Sequence, residues 1–389
     1  ELEVSHSFDD KRKLLSVTVK QTHKTESTTA AFRFSATIAL MDGDGVETRH
    51  RVEVKEREQT FHFVCNAAPK AVSFDPAQDI LKTLKHKRSR EALELILRKA
   101  PEAIARGAAA RELGREGSPQ ATAALREAML TDAFWGVRAD AAAALGEIRS
   151  AQAKAALLDG LSLEHPKARR AVVRALGSFR NDTEAADALA RLLEKGDPSY
   201  FVEAEAALAL GKTRDPLAFE LLRAALSRDS YLEAIRAHAF SGMAELRDER
   251  VIEVARQWSV YGKPPRARVA AIGALARCAE LGDARRAEIL DFLTPLVDDR
   301  EFMVRLRVPG AFEDIGDPRA IIALTRLRDR DLDGRVQRRA QEAIDAILQG
   351  RNRVEEGARL REQMDKLREE NVKLRERLDK LEASVGAKP

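Results

Sequence analysis

The sequence is short of cysteine, of aromatic side chains, of long apolar runs and of charge of one sign. Of its 389 residues only Cys65 and Cys278 are cysteines. That excludes a disulfide framework and a zinc-knuckle spacing, and it fits a reducing compartment, the cytoplasm being favoured over an exported state. No apolar stretch approaches the roughly 20 residues needed to cross a bilayer, so a membrane span is not expected. Sixty-seven basic residues against 63 acidic ones leave a net charge of only +4, which argues against a nucleic-acid binder held by bulk electrostatics. Aromatics make up 5% of the chain.

Catalytic signatures are missing as well. None of the seven histidines is followed by Glu, so there is no H-E-x-x-H zinc helix. Neither phosphate-binding glycine motif occurs, and there is no G-x-S-x-G. Asp42-Gly43-Asp44-Gly45 starts like a calcium loop but lacks the closing Glu, so it reads as a hairpin turn. His6, His23, His50 and His62 fall in strand-like sequence, and His86, His165 and His238 have no carboxylate at ligand spacing. They read as packed or half-exposed imidazoles. Cys65 and Cys278 read as small buried residues. No catalytic residue, cofactor site or metal site is predicted.

What is present is Ala, Leu, Glu and Arg in helical proportion, in a chain long enough for two or three domains. Residues 1 to about 76 alternate with period two: Leu2, Val4, His6 and Phe8, then Leu15, Val17 and Val19, then Phe32 to Leu40, Val52 and Val54, and Phe61, Phe63 and Cys65. Such alternation buries one face of each strand and predicts a small antiparallel β-sandwich. The chain opens at Glu1 inside a strand, and is expected to be the downstream part of a longer or processed protein. After Asp75-Pro76, the basic run Lys82, Lys85, Lys87, Arg88 and Arg90 reads as the solvated face of a first helix rather than an anion patch, because no aromatics accompany it.

From residue 77 to 350 the chain repeats. An arginine followed at three and seven positions by apolar residues, often with a glycine next, recurs at Arg106, Arg138, Arg169, Arg236 and Arg268, with Glu203 in one copy, at intervals of 31 to 34 residues. Looser copies follow near Arg305 and Arg335. A period near 32 predicts stacked helix pairs, each too small to bury its apolar face alone. The glycines after the last apolar residue are expected to end helices in the left-handed conformation. Asp132, Asp229 and Asp299 precede their arginines by several positions, which predicts a structural ion-pair ladder between helix caps of adjacent repeats. The expected binding surface is the solenoid's concave face, for a protein or peptide partner.

Residues 351–385 change character. Leu360, Met364, Leu367, Asn371, Leu374, Leu378, Leu381 and Val385 are spaced alternately by four and three, the a/d seam of a left-handed coiled coil. Asn371 at an a position, with Glu370–Arg375 and Arg377–Glu382 as g–e′ pairs, predicts a parallel homodimer. Residues 386–389 read as a disordered tail. The fold class is therefore mainly α: a solenoid preceded by a small β-sandwich and followed by a coiled-coil helix.

Two resemblances follow from these residues. The unit from Arg138 to Gly146, with Gly316-Asp-Pro-Arg-Ala320, resembles the HEAT-like repeats of the phycobilisome-lyase type, which implies the fold and no activity. The stretches Leu2 to Asp10, Leu15 to Thr22, Phe32-Arg-Phe34, Gln59-Thr-Phe61 and Val72 to Pro76 resemble the β-sandwich that follows the catalytic domain in zinc aminopeptidases of the aminopeptidase N type. That resemblance implies a non-catalytic C-terminal region that shapes access to an upstream catalytic domain, where the zinc would sit. The zinc helix, its downstream Glu ligand and the exopeptidase motif have no counterpart here, so no catalytic residue carries over. The alternative expectation is a free-standing interaction scaffold that dimerises through residues 354–385.

Overall fold

A computed structural model describes residues 1–24 and 29–350 of the chain, together with Met364. Met364 excepted, the predicted coiled-coil seam and the tail lie outside the described residues. The chain forms two compact units, one spanning Glu1–Leu246 and the other starting at Arg247.

The first unit begins with seven strands: β1 Leu2–Asp9, β2 Leu14–Gln21, β3 Phe34–Met41, β4 Glu47–Val54, β5 Glu58–Val64, β6 Ala71–Phe74 and β7 Leu84–His86. They make a four-stranded sheet in the order β5-β2-β1-β7 and a three-stranded sheet in the order β4-β3-β6. The period-two residues do what their spacing requires. Leu2, Val4, Leu15, Val17 and Val19 from one sheet share a core with Ile38, Leu40, Val54, Val72 and Phe74 from the other. Buried Gln21 ties the chain across the end of the layer: its side chain accepts the Phe32 N–H at 2.8 Å and donates to the carbonyls of Phe32 and Glu56.

The β layer does not stop at Pro76. β7 pairs in parallel with β1, Leu2 opposite Leu84 and Val4 opposite His86, so a boundary at 76 falls inside the sheet. The basic run is accordingly not a helical face. Lys85 lies on β7, the first helix starts only at Arg90, and Lys82 is buried against Asp75. Asp75 also accepts the N–H groups of Asp79 and Ile80. A buried carboxylate needs such company, and here it fixes the crossing from sheet to helices.

Ten helices complete the first unit: α1 Arg90–Lys99, α2 Ala103–Glu116, α3 Pro119–Thr131, α4 Trp135–Ile148, α5 Ala151–Asp159, α6 Pro166–Leu176, α7 Thr183–Lys195, α8 Tyr200–Thr213, α9 Ala218–Ala225 and α10 Ala234–Leu246. Even-numbered helices pack in a row, α2 on α4, α4 on α6, α6 on α8 and α8 on α10, and the odd-numbered ones form a second row beside them. Helices α1, α3, α5 and α7 start alike. Ser89, Ser118, Ser150 and Asp182 each accept the N–H three residues on, at 3.0 to 3.2 Å, satisfying a donor the helix leaves free.

The glycines of the repeat correct the expectation from sequence. Gly114, Gly146 and Gly211 lie inside α2, α4 and α8, and Gly177 at the end of α6 is right-handed. The left-handed caps come later, at Gly117, Arg149 and Arg214. The glycines are there because neighbouring even helices nearly touch: a Cβ on Gly114 would lie 2.8 Å from the Cβ of Ala144, one on Gly146 2.8 Å from that of Ala175, and one on Gly177 2.9 Å from that of Ala209. Close backbone approach, not chain reversal, selects them.

The second unit repeats the scheme with α11 Arg250–Ser259, α12 Pro265–Cys278, α13 Asp283–Leu293, α14 Phe302–Ile315, α15 Ala320–Arg330 and α16, residues 334–350. α12 packs on α14. Small antiparallel sheets followed by 16 helices in a solenoid, 61% helical overall, are the fold that the described residues adopt.

Candidate functional site

The chemistry of the solenoid is concentrated where each odd helix turns into the next even one. Even helices α2, α4 and α8 have no side-chain N-cap. At α2, α6 and α14 a long side chain from the first turn folds back onto the turn's carbonyls. Arg106 donates to the carbonyls of Ala100 and Pro101, Arg169 to Leu163 and Glu164, and Arg305 to Asp299 and Arg300.

The same guanidinium also reaches the following repeat. Arg106 forks onto Asp132 at 2.7 and 3.0 Å, and Arg169 onto Asp197 at 2.9 and 2.8 Å. In the second unit Arg268, 1% exposed, forks onto Asp299, and Arg305 meets Asp331 at 2.6 Å. Each aspartate in turn accepts the N–H two residues on, from Phe134, Ser199, Glu301 and Asp333 respectively. One carboxylate thereby shapes its own turn and clamps the previous repeat. Burial works to raise the Asp299 carboxyl, but the hydrogen bonds from Arg268 and the Glu301 N–H hold it below the ordinary value.

The remaining ladder positions depart from this scheme. Asp229 pairs with its own Arg236 at 2.6 Å, joined by Glu233 at 2.5 Å, across a turn in which Leu232 and Glu233 take left-handed backbone angles. Arg335 is a correction: it is exposed, pairs with Asp333 two residues away and lies 4.4 Å from the Phe302 ring centroid. The residue at the ladder position of the last repeat is Gln337, which donates to the Asp331 carbonyl at 2.7 Å. Arg138 donates through Nε to the Asp132 carbonyl at 2.5 Å and pairs with no carboxylate among the described residues. Asp197, Asp331 and Gln337 were missed in the sequence, although the six-residue step that joins Asp132 to Arg138 also joins Asp197 to Glu203 and Asp331 to Gln337.

Aromatic side chains stand beside the first-unit ladder. Phe134 and Trp135 open α4, His165 caps α6, Tyr200 and Phe201 open α8, and Tyr231 precedes α10. Trp135 and His165 stack across a repeat boundary, 5.3 Å apart and 5° from parallel, with the Lys167 ammonium 4.5 Å from the indole centroid. Arg170 lies 6.0 Å from Phe201, and Tyr200 lies 6.4 Å from Tyr231. Phe134 and Phe201 are each 45% exposed and Tyr231 65%. Recesses of about 450, 450 and 870 Å³ open at Arg106, Arg138 and Arg169. A row of half-exposed aromatics with cations between them, one step per repeat, is a surface suited to gripping an extended chain.

The β layer offers less. His6 Nδ1 and His86 Nε2 are 3.3 Å apart, and burial, with Arg88 and His6 nearby, pushes His86 down to about 3. Among the described residues no three His, Cys, Asp or Glu side chains converge to hold a metal ion. His62 bonds Ser16 and His23 the Thr29 carbonyl. Burial raises both thiols, Cys278 to about 12. No described helix is long and apolar enough to cross a membrane.

With the paired helices and the ladder in place, the family assignment follows: the HEAT repeats match at residues 90–164, 155–244 and 252–345. The chain belongs to the HEAT repeats. No curated protein matches this HEAT-repeat sequence. Among solved structures it is similar to Legionella pneumophila aminopeptidase A in complex with aspartic acid, at 14% identity and a TM-score of 0.54, over 88% of this chain and 48% of that one. The HEAT-repeat chain thus spans about half the length of that protein, and the likeness is one of fold. Also similar are the CpcE–CpcF complex of phycocyanin lyase from Nostoc sp., at 17% identity, TM-score 0.35, over 69% of this chain and 98% of that one, and the karyopherin Kap121p bound to the extreme C-terminus of Cdc14p, at 15% identity, TM-score 0.42, over 67% and 34%.

Proposed function

We propose that this chain is a non-catalytic, protein-binding HEAT-repeat scaffold whose even-helix edge holds an extended segment of a partner. The aromatic row from Phe134 to Tyr231 carries the reading. Half-exposed aromatic rings offer large contact area at low entropic cost and dominate protein interfaces, and the helical period delivers them at regular steps. Selection of a phage-displayed random peptide library on the whole chain tests it. Peptides should be recovered that lose binding to a variant with Phe134, Phe201 and Tyr231 changed to Ser. Recovery of none, or of peptides indifferent to that variant, would end the proposal.

A second reading concerns the parent protein. The order sandwich-then-solenoid and the 88% coverage of this chain by an aminopeptidase fold support an accessory region of a zinc aminopeptidase-like protein, with the metal and the hydrolysis belonging to an upstream domain. The sequence supports a parallel homodimer through residues 354–385 as an addition to either reading. Residues 1–389 alone should then bind no stoichiometric zinc and hydrolyse no aminoacyl substrate. Light scattering should show the dimer, and its loss on truncation after Gly350.

A further inference from the structure

At the step from the second repeat to the third, the ladder has a donor and no acceptor. Leu163 stands six residues before Arg169, where Asp132, Asp197, Asp299 and Asp331 stand in other repeats, so the aspartate that would clamp Arg138 is missing. Arg138 is half-buried. Its Nε caps the turn through the Asp132 carbonyl, which leaves the terminal pair Nη1 and Nη2 without an acceptor among the described residues. Arg138 lines a recess of about 450 Å³ together with Ala133, Trp135, Glu164, His165 and Pro166. Trp135 is held flat against His165, and Lys167 adds a second cation beside the indole. Glu164 also lines the recess, and among the described residues it forms no ion pair.

We infer that Arg138 is a carboxylate-binding site: an Asp or Glu side chain in an extended segment of the partner takes the place of the missing aspartate, with its neighbouring residue against Trp135. The inference rests on the reading of this edge as a peptide-binding surface. Guanidinium and carboxylate meet through two parallel bonds, and Arg268 shows this division of labour with an internal partner, its Nε on the Ser259 carbonyl and its terminal pair on Asp299. The site differs in drawing its carboxylate from outside.

Gln337 supplies the test. It keeps the turn-capping bond to the Asp331 carbonyl with no guanidinium, so Arg138→Gln should keep the cap and lose the fork. Peptides selected on the whole chain are synthesised with the acidic residue intact or changed to its amide, and with free or amidated C-termini. Their affinities for wild type and Arg138→Gln are measured by fluorescence anisotropy. Expected are a loss of about tenfold or more for the amide peptide on wild type, the same loss for the acidic peptide on Arg138→Gln, and no further loss when both changes are combined. Arg138→Gln should melt with wild type, whereas Arg169→Gln, which breaks the Asp197 fork, should melt earlier and keep the acid preference. Equal binding of acid and amide peptides, or an acid preference intact in Arg138→Gln, overturns the inference and leaves the edge reading standing. Dependence on the free C-terminus alone overturns the side-chain assignment. Recovery of no peptide removes both.

Discussion

Glu203 binds Arg228 at 2.8 Å across a repeat boundary, with the charges in the opposite order to Arg106–Asp132 and Arg169–Asp197. Glu203 occupies the ladder position of α8 where other repeats have arginine. Arg228 comes from the next turn, where other repeats offer aspartate, and it also reaches back to the Glu194 carbonyl. Where a step is closed by an ion pair between repeats it holds one cation and one anion, and either order occurs.

That tolerance can be measured. Arg228→Glu or Glu203→Arg alone places like charges in a half-buried contact and should cost about 1–3 kcal/mol. The double variant restores the usual order and should recover most of the loss. Denaturant midpoints of the four proteins check it; simple additivity of the two losses would show that the pair does not interact.

Gly146→Ala places a methyl 2.8 Å from the Cβ of Ala175, where α4 and α6 nearly touch. Alanine is the better helix former by about 1 kcal/mol, but overpacking between two helices costs about 1–3 kcal/mol, so a net loss of stability is expected. Gly334, at the start of α16, would meet nothing within 4 Å. Gly334→Ala should be neutral or stabilising by up to about 1 kcal/mol. Thermal melts of both variants separate the two cases.

His86 makes the β layer acid-sensitive. Burial, with Arg88 and His6 nearby, holds it at about 3 in the folded chain, against about 6.5 when unfolded. The unfolded state therefore binds the proton more readily. The stability this group contributes is fully present above pH 6.5 and is lost progressively as pH falls toward 3. Replacing His86 by Asn should narrow the difference between denaturant midpoints at neutral pH and in that acid window. An unchanged difference would mean that other groups carry the acid response.

The two thiols should react at different rates. Cys278 is 3% exposed and raised to about 12 by burial, with Asp248 adding to it, whereas Cys65 is half-buried and raised by a weaker desolvation. The thiolate is the reactive form. Native alkylation followed by mass spectrometry should therefore label Cys65 first and Cys278 only on unfolding; comparable rates would contradict the packing of α12.

The architecture was legible because burial imposes a period: two on Leu15, Val17 and Val19, and about 32 on the repeats. The ladder was visible as arginines with aspartates ahead of them. Its direction was not, because the partner of Arg106 is Asp132, one repeat on, and sequence distance carries no sign of which repeat an aspartate clamps. The glycine after Leu145 looked like a helix end because chain reversal and close helix approach both demand the absence of a Cβ. β7 was hidden in a basic run: three residues are too few for a period, and Lys82 is buried only because Asp75 is there to receive it. Arg335 drew attention as a charge, while Gln337 performs the structural task with an amide.

Photo-crosslinking tests the central claim most directly. A benzophenone side chain is placed in turn at Phe134, Phe201 and Tyr231 on the aromatic edge, and at Gln152, exposed on α5 in the other helix row. Irradiation with a peptide selected on the whole chain should link it to the edge positions, in an order along the peptide that follows the order of the repeats, and leave Gln152 free. Links from Gln152 equal to those from the edge, or an order along the peptide unrelated to the repeats, would contradict it.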